Sequence, residues 1–462
     1  GNAAGAAIGF IRTPAEWIAT KHARQTHAVA QVTDPEFGPI WCAGLPVSLS
    51  EFPDPQVEPR RRAGADTADV LGELASMPPR EPAAAPEPDL PQPLAGIRVL
   101  DLGLALAGPT CGRILAEFGA EVVKIGNPSA GVAGYLNRGK ESLLLDVTKL
   151  GGQEVYWRLV DESDVVLENF SPGTAERLAI GYEEVHARRP DVVYTSISCY
   201  GLGGPWTHWR GWERQGQAVT GIMERTELPS VLGPYNIVDI GTGILGAFAT
   251  ALALYHRQAT GRGQLASASL AQTGTYHQAA FMFDFPGYQP AEPRGYFTLG
   301  EGPLQRYYRA RDRWFFLAAR PEDLGAVAAV VDAADLIGES GAALEKSLEA
   351  AFATAAADEV VAKLGAAGVA AHVVVPVAEL MTDPVVRARG LSVTLQVDGV
   401  GSCTMPGVSP RLSETPALVG RAPGRPGEDA SSILASVGLA DRLEALERGW
   451  VVRTTDLPAA WP

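Results

Sequence analysis

The sequence predicts an α/β fold with a parallel sheet whose strands are connected by crossover helices. Short apolar runs alternate with amphipathic stretches through the middle of the chain, which is typical of buried parallel strands joined by helices. The predicted strands are residues 97–102, 122–125, 143–145, 165–167 and 192–197, and the predicted helices are residues 111–118, 150–160 and 182–189. A chain of 462 residues, 46% hydrophobic and 20% charged, has the composition of a globular protein with more than one core.

The charge balance and the scattered cysteines and histidines argue against several classes of protein. A net charge of −15 and a pI near 5.0 disfavour nucleic acid or an anionic membrane as a partner. The four cysteines have no paired spacing and the seven histidines form no cluster, so we expect neither a disulfide scaffold nor a metal. No signal peptide is visible, and the apolar helix near residues 244–255 is shorter than the roughly 20 residues that a bilayer requires. We therefore expect a cytoplasmic protein.

A repeat divides the chain into unlike parts. Residues 49–53 (LSEFP) match residues 412–416 (LSETP) at an offset of 363 positions, and the same offset aligns further pairs without gaps. These pairs are Gly38 with Gly401, Gly44 with Gly407, Gly64 with Gly427, Asp66 with Asp429 and Leu71 with Leu434. Residues 1–77 are therefore predicted to be the tail of a preceding copy of a module at 95–440, joined to it by a proline-rich linker at 78–94. On this interpretation the parent polypeptide is a tandem fusion.

Asp239 is the first candidate for a catalytic residue. It lies within the run Ile237–Gly243, and the next twelve residues contain only apolar residues, glycine and threonine. A carboxylate among aliphatic residues is costly unless it is neutralised or used. Two interpretations stay open: Asp239 is a nucleophile or base, or it caps a helix that begins near Thr242.

The turn after the first predicted strand indicates an anionic ligand. Residues 103–109 are small, bounded by glycine and followed by a helix, which would direct backbone N–H groups toward an anion. The turn is not Gly-x-Gly-x-x-Gly, and no acidic residue after Lys124 is placed to bind a ribose. A dinucleotide dehydrogenase is therefore a poor fit, and another nucleotide-bearing ligand stays open.

Five ordered motifs resemble the family III CoA-transferases, the group that contains formyl-CoA transferase and carnitine CoA-transferase. The motifs are PLAGIRVLD at 93–101, AGP at 107–109, NRGK at 137–140, ENFSPG at 168–173 and TGRGQ at 260–264. The resemblance runs from about residue 93 to 440. It implies a Rossmann-like large CoA-binding domain at 95–298, a smaller α/β domain at 299–385, a return segment to the large domain at 386–440, and a C-terminal extension at 441–462.

The resemblance also implies a partner. Members of this family form interlocked homodimers, and a tandem fusion would join the two partners in one chain as a fused pseudo-dimer. Residues 1–77 would then lie on the other partner's large domain. In the predicted small domain, residues 314–319 and Val373–Val375 are strand-like, and helices are expected near 343–365.

The family's chemistry, carried over by motif, concerns two carboxylates. Asp239 matches the catalytic aspartate, whose carboxylate attacks an acyl-CoA thioester before a carboxylic acid acceptor takes the CoA. Glu213 matches a glutamate beside the active site, although on the residues alone a solvated turn carboxylate is equally consistent. The backbone N–H groups of Gly241 and Gly243 are candidate oxyanion donors at a helix start.

The resemblance places coenzyme A, as the acyl-CoA substrate, against a further set of residues. The positions that match phosphate or adenine contacts are Lys140, Arg177 and Arg210, and those expected to line the first turn and the adenosine pocket are Ala105, Ala107, Asn169 and Phe170. Taken alone, each cation is also consistent with an exposed surface residue, and Asn169 with a strand-to-helix cap.

Departures from the family pattern leave alternatives open. Asn127 and Leu106 stand where formyl-CoA transferase has Arg and Gln, so we expect an acceptor acid larger or less polar than oxalate or formate. The family's glycine run is reduced to residues 300–305, GEGPLQ. The losses at Asn127 and in the glycine run favour a catalytically silent CoA-binding half of a fused transferase, whereas the retained Asp239 favours an active CoA-transferase. A third interpretation is a 2-methylacyl-CoA racemase, whose proton-shuttling His is replaced here by Trp212.

Overall fold

The computed structural model describes residues 5–53, 56–79, 90–129, 134–227, 236–290 and 294–455. These residues divide into two compact units, each with its own core. The α/β unit comprises Gly1–Glu224, Ser230–Tyr288 and Gly390–Pro462, and the small unit comprises Arg225–Pro229 and Gln289–Arg389. The long segment of the small unit therefore runs from residue 289 to residue 389, whereas the sequence suggested 299 to 385. Most of the predicted proline-rich linker, residues 80–89, lies outside the described residues.

A single eight-stranded sheet organises the α/β unit. In sheet order its strands are β17 (Val452–Arg453), β6 (Glu141–Leu145), β5 (Glu121–Gly126), β4 (Arg98–Asp101), β7 (Val165–Glu168), β8 (Val193–Ser198), β9 (Leu265–Ser269) and β3 (Val47–Leu49). The six central strands are parallel, and β17 and β3 pair antiparallel at the two edges. This is the strand order of a Rossmann sheet, so the predicted fold class is confirmed.

Helices cover both faces of this sheet. They are α4 (Ala107–Glu117), α5 (Leu150–Asp161), α6 (Thr174–Arg177), α7 (Tyr182–Arg188), α8 (Glu213–Thr220), α9 (Ile237–Thr260), α10 (Leu270–His277), α16 (Ala430–Ser436) and α17 (Leu443–Arg448). Neighbouring residues of β4 enter different cores: Val99 packs with α4 and α9, whereas Leu100 packs with α5 and α16. This alternation is the pleat of a strand buried on both sides.

The sequence missed the sixth parallel strand, β9. Its residues, LASAS, are small and lack the β-branched and aromatic side chains that mark strands. Ala266 and Ala268 are fully buried, together with Ala249 and Ala253 of α9. Small residues on both elements let the helix approach the sheet closely, so packing rather than propensity fixes this strand.

Helix α9 differs from its prediction in both start and length. It begins at Ile237, five residues before Thr242, and its 24 residues make it long and apolar enough to cross a membrane. The expectation of a helix too short for a bilayer was therefore wrong. One face of α9 packs against α4, β8 and β9, so it serves as a core helix of the α/β unit.

The N-terminal segment packs on the α/β unit. Two short helices, α1 (Pro14–Ile18) and α2 (Lys21–Gln25), precede a hairpin of β1 (Val29–Asp34) and β2 (Gly38–Ala43), which is extended by β10 (Phe283–Asp284). Strand β3 then adds to β9 as the edge of the main sheet. A further helix, α3 (Thr67–Ser76), has no buried residue.

The repeat found in the sequence is also a repeat of structure. At the offset of 363 positions α1, α2, β1, β2 and α3 correspond to α14 (Val377–Leu380), α15 (Pro384–Ala388), β15 (Ser392–Val397), β16 (Gly401–Pro406) and α16. The hairpin registers coincide, because Val29 faces Ala43 as Ser392 faces Pro406. The two copies therefore share the same succession of elements and the same hairpin register, although they are buried differently.

The small unit is an antiparallel sheet with helices. Its strands, in sheet order, are β11 (Gly300–Gly302), β12 (Gln305–Arg309), β13 (Trp314–Ala318) and β14 (Ala370–Val373), and its longer helices are α11 (Leu324–Val330), α12 (Gly341–Phe352) and α13 (Ala357–Ala366). Phe315, Leu348 and Phe352 centre its core. Of the valines expected in a strand at 373–375, Val373 is the last residue of β14, and Val374 and Val375 follow the strand.

Substitution of Gly243 by alanine tests the close contact between α9 and α4. A Cβ on Gly243 would lie 2.6 Å from Cβ of Thr110 and 2.7 Å from the backbone oxygen of Ala107. We expect Gly243→Ala to lower the free energy of unfolding by about 1–3 kcal/mol, as overpacking does. Urea unfolding measures it. Gly72→Ala in α3, where a Cβ meets no atom within 4 Å, is the control, and an equal loss there would refute the explanation.

Candidate active site

A pocket opens at the carboxyl ends of β4, β7 and β8. In an open parallel sheet this edge is where ligands bind, at the point where the strand order reverses, here between β4 and β7. Its lining residues are Leu104, Ala105, Leu106, Ala107, Asn169, Phe170, Ser171, Pro172, Ile197, Ser198, Cys199, Trp209, Arg210, Gly211, Trp212, Asp239 and Leu270. The pocket thus brings together six of the nine predicted site residues: Ala105, Ala107, Asn169, Phe170, Arg210 and Asp239.

One wall is the turn after β4, which Asn169 holds in place. The Asn169 carboxamide accepts the N–H of Leu104 at 2.6 Å and donates to the carbonyl of the same residue at 2.9 Å. Asp101 accepts the N–H of Gly103 at 2.7 Å. Ala105 has a left-handed backbone, with φ of 56°, an uncommon conformation for a residue with a side chain. The Asn169 carboxamide therefore holds the turn through two hydrogen bonds to the backbone of Leu104.

Lys140 lies beneath this wall and does not contact the pocket. Its ammonium is fully buried and donates to Asp101 Oδ2 at 2.7 Å, the carbonyl of Pro109 at 2.8 Å and Asn137 Oδ1 at 3.2 Å. An ammonium has three hydrogens, so all its donors have partners. The expected phosphate contact of Lys140 is not available in this structure. The motif match had no means of showing that the side chain points inward.

Arg177 and Arg210 are placed differently. Arg210 lines the pocket and is exposed. Arg177 is exposed on α6, directly after the pocket residues Ser171 and Pro172, and donates to Thr174 Oγ1 at 2.8 Å. Both guanidinium groups are accessible for an anionic ligand, but only Arg210 borders the pocket itself.

Asp239 is the third residue of α9, and it does not cap that helix. Glu213, at the start of α8, accepts the N–H of Val238 at 3.2 Å and of Asp239 at 2.6 Å, and also accepts a hydrogen bond from Gln217. A helix leaves its first N–H groups without internal partners, and here a buried carboxylate from another helix binds them. The capping interpretation of Asp239 was therefore wrong, and Glu213 is not a solvated turn carboxylate.

The expected oxyanion donors are also misplaced. Because α9 begins at Ile237, Gly241 and Gly243 lie inside the helix rather than at its free end. Their missing side chains serve packing instead: a Cβ on Gly241 would meet the His277 ring, and one on Gly243 would meet α4. Neither glycine is a candidate oxyanion donor in this structure.

The surroundings of Asp239 make its carboxyl less acidic. Burial raises the pKa of Asp239 to about 7, the nearby Glu213 carboxylate adds to the rise, and Arg214 opposes it. No donor within the part of the chain that the structure describes hydrogen-bonds the Asp239 carboxylate. A half-buried carboxylate with a raised pKa is a stronger nucleophile than an exposed one, because it is less solvated.

Sequence reasoning missed much of the second wall. Strand β8 ends with Ile197 and Ser198, and Cys199 follows it. The lining near Asp239 also includes Trp209 and Leu270. The position of these residues was an available signal. Because β8 was predicted and the residues that follow adjacent parallel strands share one edge of a sheet, the end of β8 was predictable as part of the pocket. Among the described residues no group of three or more His, Cys, Asp or Glu side chains could hold a metal ion.

Comparison with known proteins identifies the family. The family model described as CoA-transferase family III matches residues 94–430, well over half of the chain. The chain belongs to this family. The succinyl-CoA–D-citramalate CoA-transferase of Chloroflexus aurantiacus is 31% identical over 366 residues, which cover 71% of this chain and 90% of the relative.

Other family III CoA-transferases and a solved structure agree with this assignment. The succinyl-CoA:mesaconate CoA-transferase of Haloarcula marismortui is 30% identical over 375 residues, covering 71% of this chain and 93% of that protein. A CAIB/BAIF family protein from Brucella suis superposes with a TM-score of 0.65 at 25% identity, covering 75% of this chain and 99% of that one. The pocket of this family III CoA-transferase is bordered by Leu106, the departure noted in the sequence.

The ionisation of Asp239 is directly measurable. We expect its carboxyl to titrate with a midpoint near 7, because burial and Glu213 both disfavour the charged form. Glu213→Gln removes the neighbouring charge, so the midpoint falls. Infrared difference spectra between the wild type and Asp239→Asn, recorded across pH, isolate the band of this carboxyl.

Glu176→Gln is the control for that titration, because Glu176 is exposed on α6 and is not among the groups that shift Asp239. In this variant the titration midpoint of the Asp239 carboxyl should equal that of the wild type. A midpoint in the ordinary aspartate range of about 4 would contradict the electrostatic description of the site.

Proposed function

We propose that this family III CoA-transferase moves CoA from an acyl-CoA donor to a carboxylic acid through a covalent intermediate on Asp239. The observation that carries the proposal is a carboxylate, half-buried and without a hydrogen-bond donor among the described residues, that faces a pocket at the ligand-binding edge of the sheet. Nucleophilic catalysis by a carboxylate requires such a group in a site that excludes water.

In the proposed reaction one oxygen of Asp239 attacks the thioester carbon of the donor. The C–S bond breaks, CoA leaves as a thiolate, and a mixed anhydride forms. The thiolate then attacks the aspartyl carbon, which gives an aspartyl-CoA thioester and releases the donor acid. The acceptor carboxylate attacks that thioester and expels the thiolate. Attack of the thiolate on the acceptor's acyl carbon completes the acyl-CoA product and restores the Asp239 carboxylate.

The residues around Asp239 support this chemistry in two ways. Ile197, Trp212 and Leu270 line the same pocket as Asp239 with apolar surface, and such surface limits hydrolysis of the anhydride by water. Glu213 fixes the first turn of α9, so that Asp239 enters the pocket at one orientation. A positioned nucleophile loses little freedom on reaching the transition state.

For the CoA moiety we propose contacts that differ from the sequence expectation. Ala105, Ala107 and Phe170 form the wall against which the nucleotide packs, and Arg210 and Arg177 bind phosphates as charge-assisted donors. Asn169 orders the turn through the hydrogen bonds of its carboxamide, and Lys140 supports the turn from the buried side by donating to Asp101. These two residues shape the binding wall without donating to the ligand.

We propose that the acyl groups exchanged are less polar than the dicarboxylates named for the relatives. The citramalate and mesaconate enzymes act on acids with a second carboxylate, whereas Leu104, Leu106, Trp209 and Trp212 present apolar surface to this pocket. Among the described residues of its lining Arg210 is the one cation, and the proposed CoA phosphate contact uses it. A monocarboxylic acid suits this lining.

Two alternative functions fit the site less well. A catalytically silent half has no need of an unpartnered carboxylate facing the pocket, which costs stability when buried. A racemase needs a second proton-transferring group, and Trp212 at that position has an indole, which is not a base. We propose the active transferase, in a cytoplasmic location.

The partner we propose is a second copy of the α/β unit, on the same polypeptide or on another chain. The two copies of the repeat are buried in opposite halves. In the N-terminal copy α1, α2 and β3 are buried against the α/β unit, while Val70, Leu71 and Leu74 of α3 are exposed. In the C-terminal copy the counterparts Ile433, Leu434 and Val437 are buried, whereas Leu380 and Leu412 of its front half are exposed.

A second α/β unit would provide a packing surface for both exposed halves. On it, α3 would pack as α16 packs here, and the segment from α14 to Leu412 would pack as the segment from α1 to Leu49 packs here. Exposed apolar faces of this size on two segments indicate a partner surface. The exchange is reciprocal, since each copy of the repeat would span both units.

Trapping of the intermediate tests the catalytic proposal. We expect incubation with a panel of acyl-CoA donors, followed by hydroxylamine, to leave a hydroxamate on Asp239 that mass spectrometry of peptides detects. Asp239→Asn should show no adduct, because an amide does not attack the thioester. Glu176→Gln is the matched control and should react as the wild type. Unmodified Asp239 with every donor, in protein that still binds CoA, would favour the silent half.

Purification of the protein from its source cells tests the partner proposal. We expect either a polypeptide well above 48.7 kDa, which carries the first copy, or a second chain of this family in stoichiometric association. Intact-mass and native mass spectrometry distinguish the two. An active protein that is a single 48.7 kDa chain without any partner would contradict the proposal.

A further inference from the structure

The N-terminal copy of the repeat reaches the wall of the pocket through a cluster of aromatic rings. The residues between β8 and α8, 199–212, form a segment that we call the site loop, and several of them line the pocket. His22, on α2, is fully buried at the centre of the cluster. It contacts the site loop through hydrogen bonds and through ring stacking.

Both nitrogens of the His22 ring are bonded to the site loop. The N–H of Trp206 donates to Nδ1 at 3.1 Å, so this nitrogen carries no proton. Nε2 carries the proton and donates to the carbonyl of Tyr200 at 2.8 Å. Burial lowers the pKa of His22, and the Tyr200 carbonyl opposes that effect. The ring is therefore a neutral tautomer fixed by two backbone groups.

Stacking continues from His22 to the pocket. The His22 ring lies 4.7 Å from Trp206 at an interplanar angle of 18°, and Trp206 lies 5.0 Å from Trp209 at 10°. Trp209 lines the pocket. Gly204 lets the loop approach, because a Cβ there would collide with Nδ1 of His22. Two ring contacts thus connect a histidine of the N-terminal repeat to the pocket wall.

We infer that His22 is a positioning residue for the site loop. It fixes the loop at two backbone points. The loop ends at Trp212, which lines the pocket together with Asp239, and it leads directly into Glu213, which caps the helix of Asp239. Trp17 of the same segment assists by donating to Thr275 Oγ1 on α10 at 2.8 Å. This role rests on the proposed function, because it concerns the geometry of the same site.

The second copy of the repeat supplies an independent argument. At the positions of Trp17 and His22 it has Leu380 and Val385, which form neither hydrogen bond, yet its helices begin at the corresponding positions and its hairpin has the same register. The hydrogen-bonding side chains are therefore not needed to build the repeat. They are present in the copy that touches this site loop, which indicates that they serve the loop.

Protonation of His22 would disrupt the arrangement. Both ring nitrogens would then be donors, and Nδ1 would face the Trp206 N–H. The groups that face the ring are the Tyr200 carbonyl and the rings of Trp17, Trp206 and Tyr200, the last of these edge-on at 6.0 Å. The Arg12 guanidinium lies 4.9 Å from the Trp206 ring on the same segment. No carboxylate among the described residues is paired with the imidazole to stabilise its charge.

Three variants of His22 test the inference. His22→Phe keeps a ring but removes both hydrogen bonds, and we expect kcat of CoA transfer to fall about tenfold to a hundredfold through misplacement of the pocket wall, while the KM for the donor changes little. His22→Asn places an oxygen near Nδ1 for the Trp206 N–H, and His22→Gln places a donor near Nε2. Each should recover part of the lost kcat.

Tryptophan fluorescence gives a readout that does not depend on activity. An imidazolium quenches a stacked indole, so acidification of the wild type should quench Trp206 with a midpoint below 6.5, the unshifted histidine value. That transition should vanish in His22→Asn. The control is His27→Asn, since His27 lies in the same segment with φ of 54°, which asparagine accepts. Among the described residues His27 has no hydrogen bond or ring contact with the site loop.

The outcomes separate this inference from the proposed function. Wild-type kcat and KM in His22→Phe, accompanied by a lower Tm, would reduce His22 to a structural residue and overturn the inference. An identical acid transition in the wild type and His22→Asn would do the same. A wild type inactive with every donor would instead count against the proposed function, while the fluorescence experiment would still decide the placement of His22.

Discussion

The carboxylate of Glu213 accepts the N–H groups of Val238 and Asp239, and this pair of hydrogen bonds holds the start of α9 inside the protein. A buried N–H without a partner costs roughly 1–3 kcal/mol, so the helix could not begin here without such an acceptor. Because the acceptor is charged, it also disfavours ionisation of Asp239. One side chain therefore fixes the backbone at the candidate nucleophile and adds to the rise that burial causes in the pKa of Asp239.

The opposite wall of the pocket rests on a second buried carboxylate. Asp101 binds the N–H of Gly103 and the ammonium of Lys140, and Lys124 contacts the same carboxylate and the carbonyl of Gly103. The two lysines hold the pKa of Asp101 low despite its burial. Removing one partner of such a buried group is strongly destabilising. The turn that lines the pocket is thereby held through its backbone by the buried groups of Asp101 and Lys124.

The sequence predicted the architecture well because parallel strands are apolar runs with a visible period. It located Asp239 through a charge in an apolar run, and five motifs located the family. It failed where an outcome depended on distant residues: β9 is a strand because small residues face α9, and the cap of α9 comes from Glu213, far away in the chain. The inward orientation of Lys140 and the contact of His22 with Trp206 are likewise tertiary properties, which local spacing does not encode.

The divergence between the two copies of the repeat has a consequence for how such a protein changes over generations. In a symmetric dimer of identical chains every substitution appears twice, so a residue favourable at one site is imposed on the other. Two copies encoded separately or in tandem escape this constraint. His22 and Val385 occupy the same position of one fold and have already separated in chemistry. In the proposed pair of α/β units, two sites of common origin would thereby be free to acquire different substrates, and one of them could lose its activity.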